Sequence, residues 1–251
     1  MLAEERLSRI MKLLSQQRTA TVQELCEALD ASESTIRRDL NELDRMGKVN
    51  KVHGGATLPD SQFLADEPTM AAKEALAVVQ KKCIAKAAAA LITAEDFVFL
   101  DAGSTTLALA AALEGPALQA AYVTNGIAHA RMLVQKGCRT YLPGGQVRPI
   151  TEAITGPETL AALQHYNFTK AFMGANGVSP AEGFTTPDPE EASIKTAALQ
   201  RARERWFLVD NTKFDMVYSA VIGDIGCGAI LTNHCPDPRY AQLTFVKECS
   251  V

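Results

Sequence analysis

Apolar positions along the first 58 residues recur at helical spacing. Leu7, Ile10, Met11 and Leu14 fall at i, i+3, i+4 and i+7, which predicts a first amphipathic helix. Residues 18–20 read as a short connection. Val22, Leu25, Cys26 and Leu29 repeat the spacing, and Thr21 with Glu24 three residues on makes a capping box at the start of a second helix. Ile36, Leu40 and Leu43 form the stripe of a third helix over residues 32–45, with Ser32 as N-cap and Gly47 as C-terminal cap. Val49 and Val52 then flank polar residues and Gly54-Gly55 signals a turn, so residues 48–58 predict a small β-wing. Helices joined by a tight turn at Asp30-Ala31, followed by a wing, match the plan of a winged helix-turn-helix.

Beyond residue 58 the texture changes. Residues 59–68 are polar and proline-bounded and read as a linker, and an Ala-rich helix is predicted over residues 70–92 with Lys81, Lys82 and Lys86 on its exposed side. From residue 97, short apolar runs (97–100, 122–124, 140–142, 171–173, 206–209, 229–231, and a last one at 243–246) alternate with helical segments (105–113, 127–135, 157–165, 189–203). That alternation implies a mainly parallel sheet covered on both faces. The expected fold class is therefore α/β, with a winged helix-turn-helix at 1–58, a linker at 59–72 and a mainly parallel α/β domain at 73–251.

Composition narrows the picture. An apolar share of 47% against 22% charged residues suits a globular chain with a sizeable core. No apolar run approaches the roughly 18 residues that span a bilayer. Glu4, Glu5, Arg6 and Arg9 interrupt any leader-like segment, so no membrane partner and a cytoplasmic location are expected. Six cysteines without a C-x-x-C pair read as reduced thiols. His234 beside Cys235 lacks a second ligand pair, so neither a metal nor another cofactor is expected.

Net charge is −4, and residues 1–58 hold nine Lys/Arg against nine Asp/Glu. Bulk charge therefore does not predict nucleic-acid binding, and placement must. Ser34, Thr35, Arg37, Arg38 and Asn41 lie outside the apolar stripe of the third helix, and Lys51 and His53 lie in the wing. Guanidiniums on the N-terminal turns can reach guanine edges or phosphates, and small hydroxyls can approach phosphates. A solvated helix carries similar charges. The wing is what a generic helical bundle has no need for, and it favours double-stranded DNA as a partner.

In a parallel sheet, ligands sit beyond the carboxyl ends of the strands. The run 97–100 leads into Asp101-Ala-Gly-Ser-Thr-Thr106 and directly into a helix. Gly103 lets backbone approach an anion, while Ser104, Thr105 and Thr106 offer hydroxyls at a helix N-terminus. This is a phosphate cradle without a Walker lysine, and it is equally a capped helix start. Thr124-Asn125 and Gly144-Gly145 close the next two strands, and Lys213 in Asp210-Asn-Thr-Lys213 can serve the same phosphate. Glu191 and Lys195, at i and i+4, form a surface ion pair or face sugar hydroxyls.

These motifs, in this order, resemble DeoR-family transcriptional repressors: Thr35-Ile-Arg-Arg-Asp-Leu40, Val52-His-Gly-Gly-Ala56, Asp101 to Thr106, Thr124-Asn125, Gly144-Gly145 and Asp210 to Lys213. Tyr166-Asn-Phe-Thr-Lys170 and Gly183-Phe-Thr-Thr-Pro-Asp188 resemble the fructose-operon subgroup. The resemblance implies a C-terminal sensor domain similar to ribose-5-phosphate isomerase, which binds a phosphorylated sugar and carries oligomer contacts. It also implies a homo-oligomer, dimer or tetramer, that represses a sugar-utilisation operon and is released by fructose 1-phosphate, or by a tagatose or galactitol phosphate. Two departures stand out. Gly103-Ser104-Thr105 replaces the usual Gly-Thr-Thr, and Asp210-Asn211-Thr212-Lys213 replaces Asp-His-Ser-Lys, keeping hydroxyl and lysine but losing an imidazole. The enzymatic rival, a sugar-phosphate isomerase, needs a general base. The turn Gly174-Ala-Asn-Gly-Val-Ser179 offers no carboxylate, so no catalytic residue is expected.

Overall fold

In the computed structural model, which describes residues 6, 7, 9–11, 13, 14, 19–46, 48–52, 54–57 and 69–249, the chain divides into two units, Met1–Gln62 and Phe63–Val251. In the first unit, the described positions between 6 and 14 are helical (α1). They are followed by β1 (Thr19–Thr21), α2 (Val22–Leu29), α3 (Glu33–Arg45), β2 (Asn50–Val52) and β3 (Gly55–Thr57). The capping box on α2 is formed: Thr21 Oγ1 accepts from Glu24 N–H at 3.2 Å and Glu24 Oε2 accepts from Thr21 N–H at 2.7 Å. Donation from the Thr21 N–H, and from its hydroxyl at 2.9 Å, holds the Glu24 carboxyl below its ordinary value. Asp30, at φ 47°, turns the chain into α3. Gly47 and His53 lie outside the described residues, as does the expected linker at 59–68.

The apolar stripes meet as anticipated. Ile10, Leu14, Leu25, Ile36, Leu40, Leu43, Val49 and Ala56 are all buried in one cluster, and each fully buried aliphatic side chain contributes about 1.5–3 kcal/mol. The wing differs from a plain hairpin. Part of the expected connection at 18–20, together with Thr21, forms a third strand (Thr19–Thr21), giving the antiparallel order β1-β3-β2.

The second unit opens with α4 (Met70–Ala75) and α5 (Val78–Ala89). Its parallel sheet is built from β4 (Phe97–Leu100), β5 (Ala121–Thr124), β6 (Arg139–Tyr141), β9 (Phe168–Gly174), β12 (Ala202–Leu208), β14 (Ala229–Thr232) and β15 (Val246–Glu248), in the order β15-β14-β12-β9-β4-β5-β6. Between them run α6 (Ser104–Ala112), α7 (Ile127–Gln135), α8 (Pro157–Leu163), α9 (Pro189–Gln200) and α10 (Arg239–Leu243). Every neighbouring pair in this sheet is parallel. Phe99, Met173, Phe207 and Ile230 join one core cluster, while Leu100, Phe172, Leu208 and Leu231 join another. Successive side chains of a strand point to opposite faces, so both faces are covered. From β4 the chain winds outward through β5 and β6, then returns to β9 on the other side. The topological switch point lies between β4 and β9, where ligands of such sheets bind.

Four expectations are corrected. The helix over 70–92 is broken, because Ala77 adopts a left-handed φ of 51° at a cost of about 1–2 kcal/mol. Beyond the break, α5 turns Lys81 inward with Ile84, Ala85 and Ala88; Lys81 is buried, whereas Lys82 and Lys86 are exposed. The last strand is Val246–Glu248 rather than 243–246. Tyr240, fully buried, fixes a helical turn there by donating to Asp215 Oδ1 at 2.8 Å. Cys83 and Cys249 are joined as a disulfide with Cα atoms 6.2 Å apart, while Cys26, Cys138, Cys227 and Cys235 remain thiols. The sequence pattern also missed a small antiparallel sheet of β10 (Gly177–Ser179), β11 (Gly183–Thr186) and β13 (Ala220–Gly223), and the β7–β8 hairpin (Gln146–Val147, Ile154–Thr155).

Candidate functional site

The first unit presents α3 with its polar groups outward. Ser32 caps the helix, its Oγ 3.4 Å from Thr35 N–H and within 3.1 Å of Ser34 Oγ. Ser34, Arg37, Arg38, Asn41 and Lys51 are exposed and Thr35 is half-buried. Arg37 pairs with Glu33 one turn back at 2.5 Å, an exposed pair worth little and readily exchanged. Lys51 Nζ donates to Asn41 Oδ1 at 2.5 Å, and Lys51 N–H donates to Asp44 Oδ1 at 3.1 Å. Wing and helix are thereby held as one surface. The sequence reading missed Asp39. It is buried on the inward stripe of α3 and takes the Arg6 guanidinium of α1. Its i+3 position from Ile36 is the signal, since an acid on a core stripe needs a partner.

In the second unit, Asp101 closes β4 at the switch point and is 1% exposed. Its N–H donates to the Phe172 carbonyl at 3.1 Å, and its Oδ2 accepts from Gly174 N–H at 2.9 Å and from the Lys195 ammonium. Gly103 then takes an extended N-cap conformation without a capping side chain. The N–H groups of Ser104, Thr105 and Thr106 meet no acceptor among the described residues, and neither do the Ser104 and Thr105 hydroxyls. Three uncommitted donors stand at the positive end of α6, the arrangement an anion would need. The Thr106 hydroxyl, expected to face a ligand, turns inward and donates to the Asp101 carbonyl at 2.6 Å.

Other expected residues serve as scaffold. Asn125 Oδ1 accepts from Ala102 N–H at 3.0 Å and its amide donates to the Ile154 carbonyl at 3.2 Å. Thr124 Oγ1 accepts from Gly126 N–H at 3.1 Å. The Gly144 carbonyl accepts from Thr159 Oγ1 at 2.9 Å, and a Cβ on Gly145 would strike that same hydroxyl. Glu191 and Lys195 are both buried, which removes the surface-pair reading. Glu191 Oε1 accepts from Thr151 Oγ1 at 2.5 Å and faces Arg148 Nε at 3.3 Å, while Arg148 also pairs with Asp188 at 2.6 Å.

Lys213, half-buried, lies in a turn capped by Asp210, whose Oδ1 accepts from Thr212 N–H at 2.9 Å. Lys81 joins this end of the sheet. Burial pushes its ammonium pKa down and Asp210 opposes that, while Lys213 and Lys73 push it further down. Lys81 and Arg148 were missed because helical periodicity placed one outside and a loop reading hid the other. Among the described residues no group of three or more His, Cys, Asp or Glu is placed to hold a metal.

The description "DeoR-like helix-turn-helix domain" matches residues 6–62, and "DeoR C terminal sensor domain" matches residues 77–232. An "Uncharacterized HTH-type transcriptional regulator FruR" of Bacillus subtilis (strain 168) is 38% identical over 98% of each chain. A "Lactose phosphotransferase system repressor" of Streptococcus mutans is 36% identical over 84% of this chain and 83% of its own. Among solved structures, a ribose 5-phosphate isomerase of Methanocaldococcus jannaschii overlaps 53% of each chain with a TM-score of 0.39 and 16% identity.

Proposed function

The chain belongs to the DeoR family, and from that premise we propose that it represses a sugar-utilisation operon and leaves its operator when a phosphorylated sugar binds at the ends of β4 and β12. A member of this family is a regulator rather than an enzyme. The observation that carries the effector reading is the α6 N-terminus. Its three uncommitted N–H groups lie at the strand ends where Asp101, Lys195 and Lys213 also lie. Phosphate fits the N–H groups and the lysines, and sugar hydroxyls fit the carboxylates.

Arg38 and Ser34, exposed on α3, read bases and phosphates, with Thr35, Arg37, Asn41, Lys51 and His53 in support. Such readers pair two half-sites, so the working form is a homo-oligomer, dimer or tetramer. Leu76, Val78 and Val79, exposed within 70–92, supply apolar contacts for it. No helix among the described residues is long and apolar enough to cross a membrane; a DNA reader works in the cytoplasm. The FruR relative makes fructose 1-phosphate the first effector to try, and tagatose and galactitol phosphates complete the panel.

The test is a band shift on the promoter fragment of the chain's own operon, with and without each sugar phosphate. One effector is expected to release the DNA and to raise the melting temperature, adding about 2.7 kcal/mol at a hundred times its dissociation constant. R38A is expected to abolish the shift while keeping that thermal gain. Equal retention of DNA with and without every sugar phosphate refutes the sensor reading, and an R38A shift equal to wild type refutes the reader.

A further inference from the structure

His129, in the first turn of α7, is 1% exposed and has no role in the reading above. Its Nε2 lies 2.9 Å from the Gly103 carbonyl oxygen and 3.1 Å from Thr106 Oγ1. A carbonyl only accepts, so Nε2 carries the ring proton. The Gly103 N–H, 3.4 Å from the same nitrogen, then faces a donor and gains nothing from it. Thr106 gives its own proton to the Asp101 carbonyl at 2.6 Å, which leaves its oxygen open to the ring.

The other nitrogen, Nδ1, is buried without a partner. It sits against Gly126, where a Cβ would overlap both Nδ1 and Cγ. Glycine at 126 is therefore what admits the ring. The peptide geometry then carries the consequence to the cradle. In a planar trans peptide the carbonyl and the following N–H point in opposite directions. Holding the Gly103 carbonyl toward His129 holds the Ser104 N–H away from it. The Leu107 N–H, 2.8 Å from that carbonyl, fixes it along the helix, and His129 fixes it from the neighbouring helix.

We propose that His129 is a positioning residue for anion recognition: its neutral ring, seated over Gly126, pins the Gly103 carbonyl and the Thr106 hydroxyl so that the N–H groups of Ser104, Thr105 and Thr106 stay aimed at one bound phosphate ester. This rests on the effector site proposed above. It adds a residue that touches no ligand and a glycine–histidine pair on which the cradle depends.

Calorimetric titration of the full-length protein with fructose 1-phosphate, and separately with inorganic phosphate, tests it. H129L is expected to weaken both about tenfold. H129Q, whose amide donor can meet the same carbonyl, is expected to bind within about threefold of wild type, since one of its hydrogen bonds is kept. G126A is expected to cost a similar factor to H129L by displacing the ring, yet to be silent in an H129A background, where no ring remains to displace. The Gly126 cycle decides the matter should H129L fail to fold, as checked by its melting curve. Wild-type binding that H129L and G126A leave unchanged overturns this inference alone, as does H129Q losing as much as H129L, or G126A costing the same in both backgrounds. A wild type that takes up neither these probes nor any other sugar phosphate of the panel overturns the effector site and this inference with it.

Discussion

Replacing Lys195 by methionine should destabilise the second unit far more than removing one surface charge would. The Lys195 side chain is 5% exposed and that of Asp101 is 1% exposed, so neither charge is shielded by water. With the ammonium gone, the Asp101 carboxylate keeps the Gly174 N–H at 2.9 Å and loses its counter-ion. Breaking a buried pair from one side costs about 3–5 kcal/mol, because the remaining charge is stranded. The surviving N–H donation places the expectation near the lower end, about 3 kcal/mol. For a unit of this size 1 kcal/mol moves the melting temperature by about 2–4 °C, so K195M should melt roughly 6–12 °C lower.

The double variant D101N/K195M separates the charge from the packing. The asparagine oxygen can still accept from Gly174 and no charge is stranded, so most of the loss should return, to within about 1 kcal/mol of wild type. Urea unfolding followed by far-UV dichroism, without any sugar phosphate present, gives all three stabilities. A K195M variant within 1 kcal/mol of wild type would show the pair to be effectively solvated. A double variant no better than the single would show that the lysine stem, and not its charge, is what the fold needs.

Two further outcomes follow from the same kind of reasoning. Burial lowers the His129 pKa to about 4, with Asp101 opposing and Lys195 assisting, against about 6.5 in the unfolded chain. Between those values the unfolded chain binds the extra proton. Stability should therefore fall as pH drops through 6.5 and flatten below about 4, a loss of up to about 3 kcal/mol that H129Q would not show in pH-dependent melts. The Cys83–Cys249 bond closes a loop with a sequence separation of 166 residues. Reduction should lower the melting temperature by an amount corresponding to at most about 5 kcal/mol, the chain-entropy value, and C249S should match the reduced wild type and ignore reductant; equal melting with and without dithiothreitol would refute the link.

The parts of the chain with strong periodicity were legible from sequence. The stripe Ile36, Leu40, Leu43 and the capping box at Thr21 gave α2 and α3, and apolar runs between helical segments gave the strands of the parallel sheet. The positions of Asp101, Ser104 and Lys213 just beyond strand ends were legible, because apolar runs followed by polar turns mark the carboxyl ends of such a sheet. What escaped notice depends on partners remote in sequence. Lys81 reads as a solvent-facing lysine until the break at Ala77 turns it toward Asp210, 129 positions later. Lys195 reads as a mate for Glu191 until Asp101, 94 positions earlier, claims it. Strands β10, β11 and β13 are three or four residues long and begin or end in glycine, too short for a period-2 pattern to register.

The pairing already present at the sheet ends constrains how an anion can be recognised there. Lys195 holds Asp101, Arg148 holds Asp188 and Glu191, and Lys81 feels Asp210 as well as Lys213. A phosphate dianion arriving at this end meets no large surplus of positive charge and must gain its free energy elsewhere. Among the described residues, the donors at this end that are uncommitted before it arrives include the α6 N–H groups, the hydroxyls of Ser104 and Thr105 and the Lys213 ammonium, which Lys81 opposes. The backbone N–H groups are directional and cannot follow a ligand that sits an ångström away, whereas a flexible ammonium can. Affinity at such a site is set by how accurately the Gly103–Thr106 turn is held. That accuracy comes from neutral contacts behind the turn, the Asn125 amide on Ala102 and the His129 ring on Gly103. The charged pairs keep the strand ends in register for it.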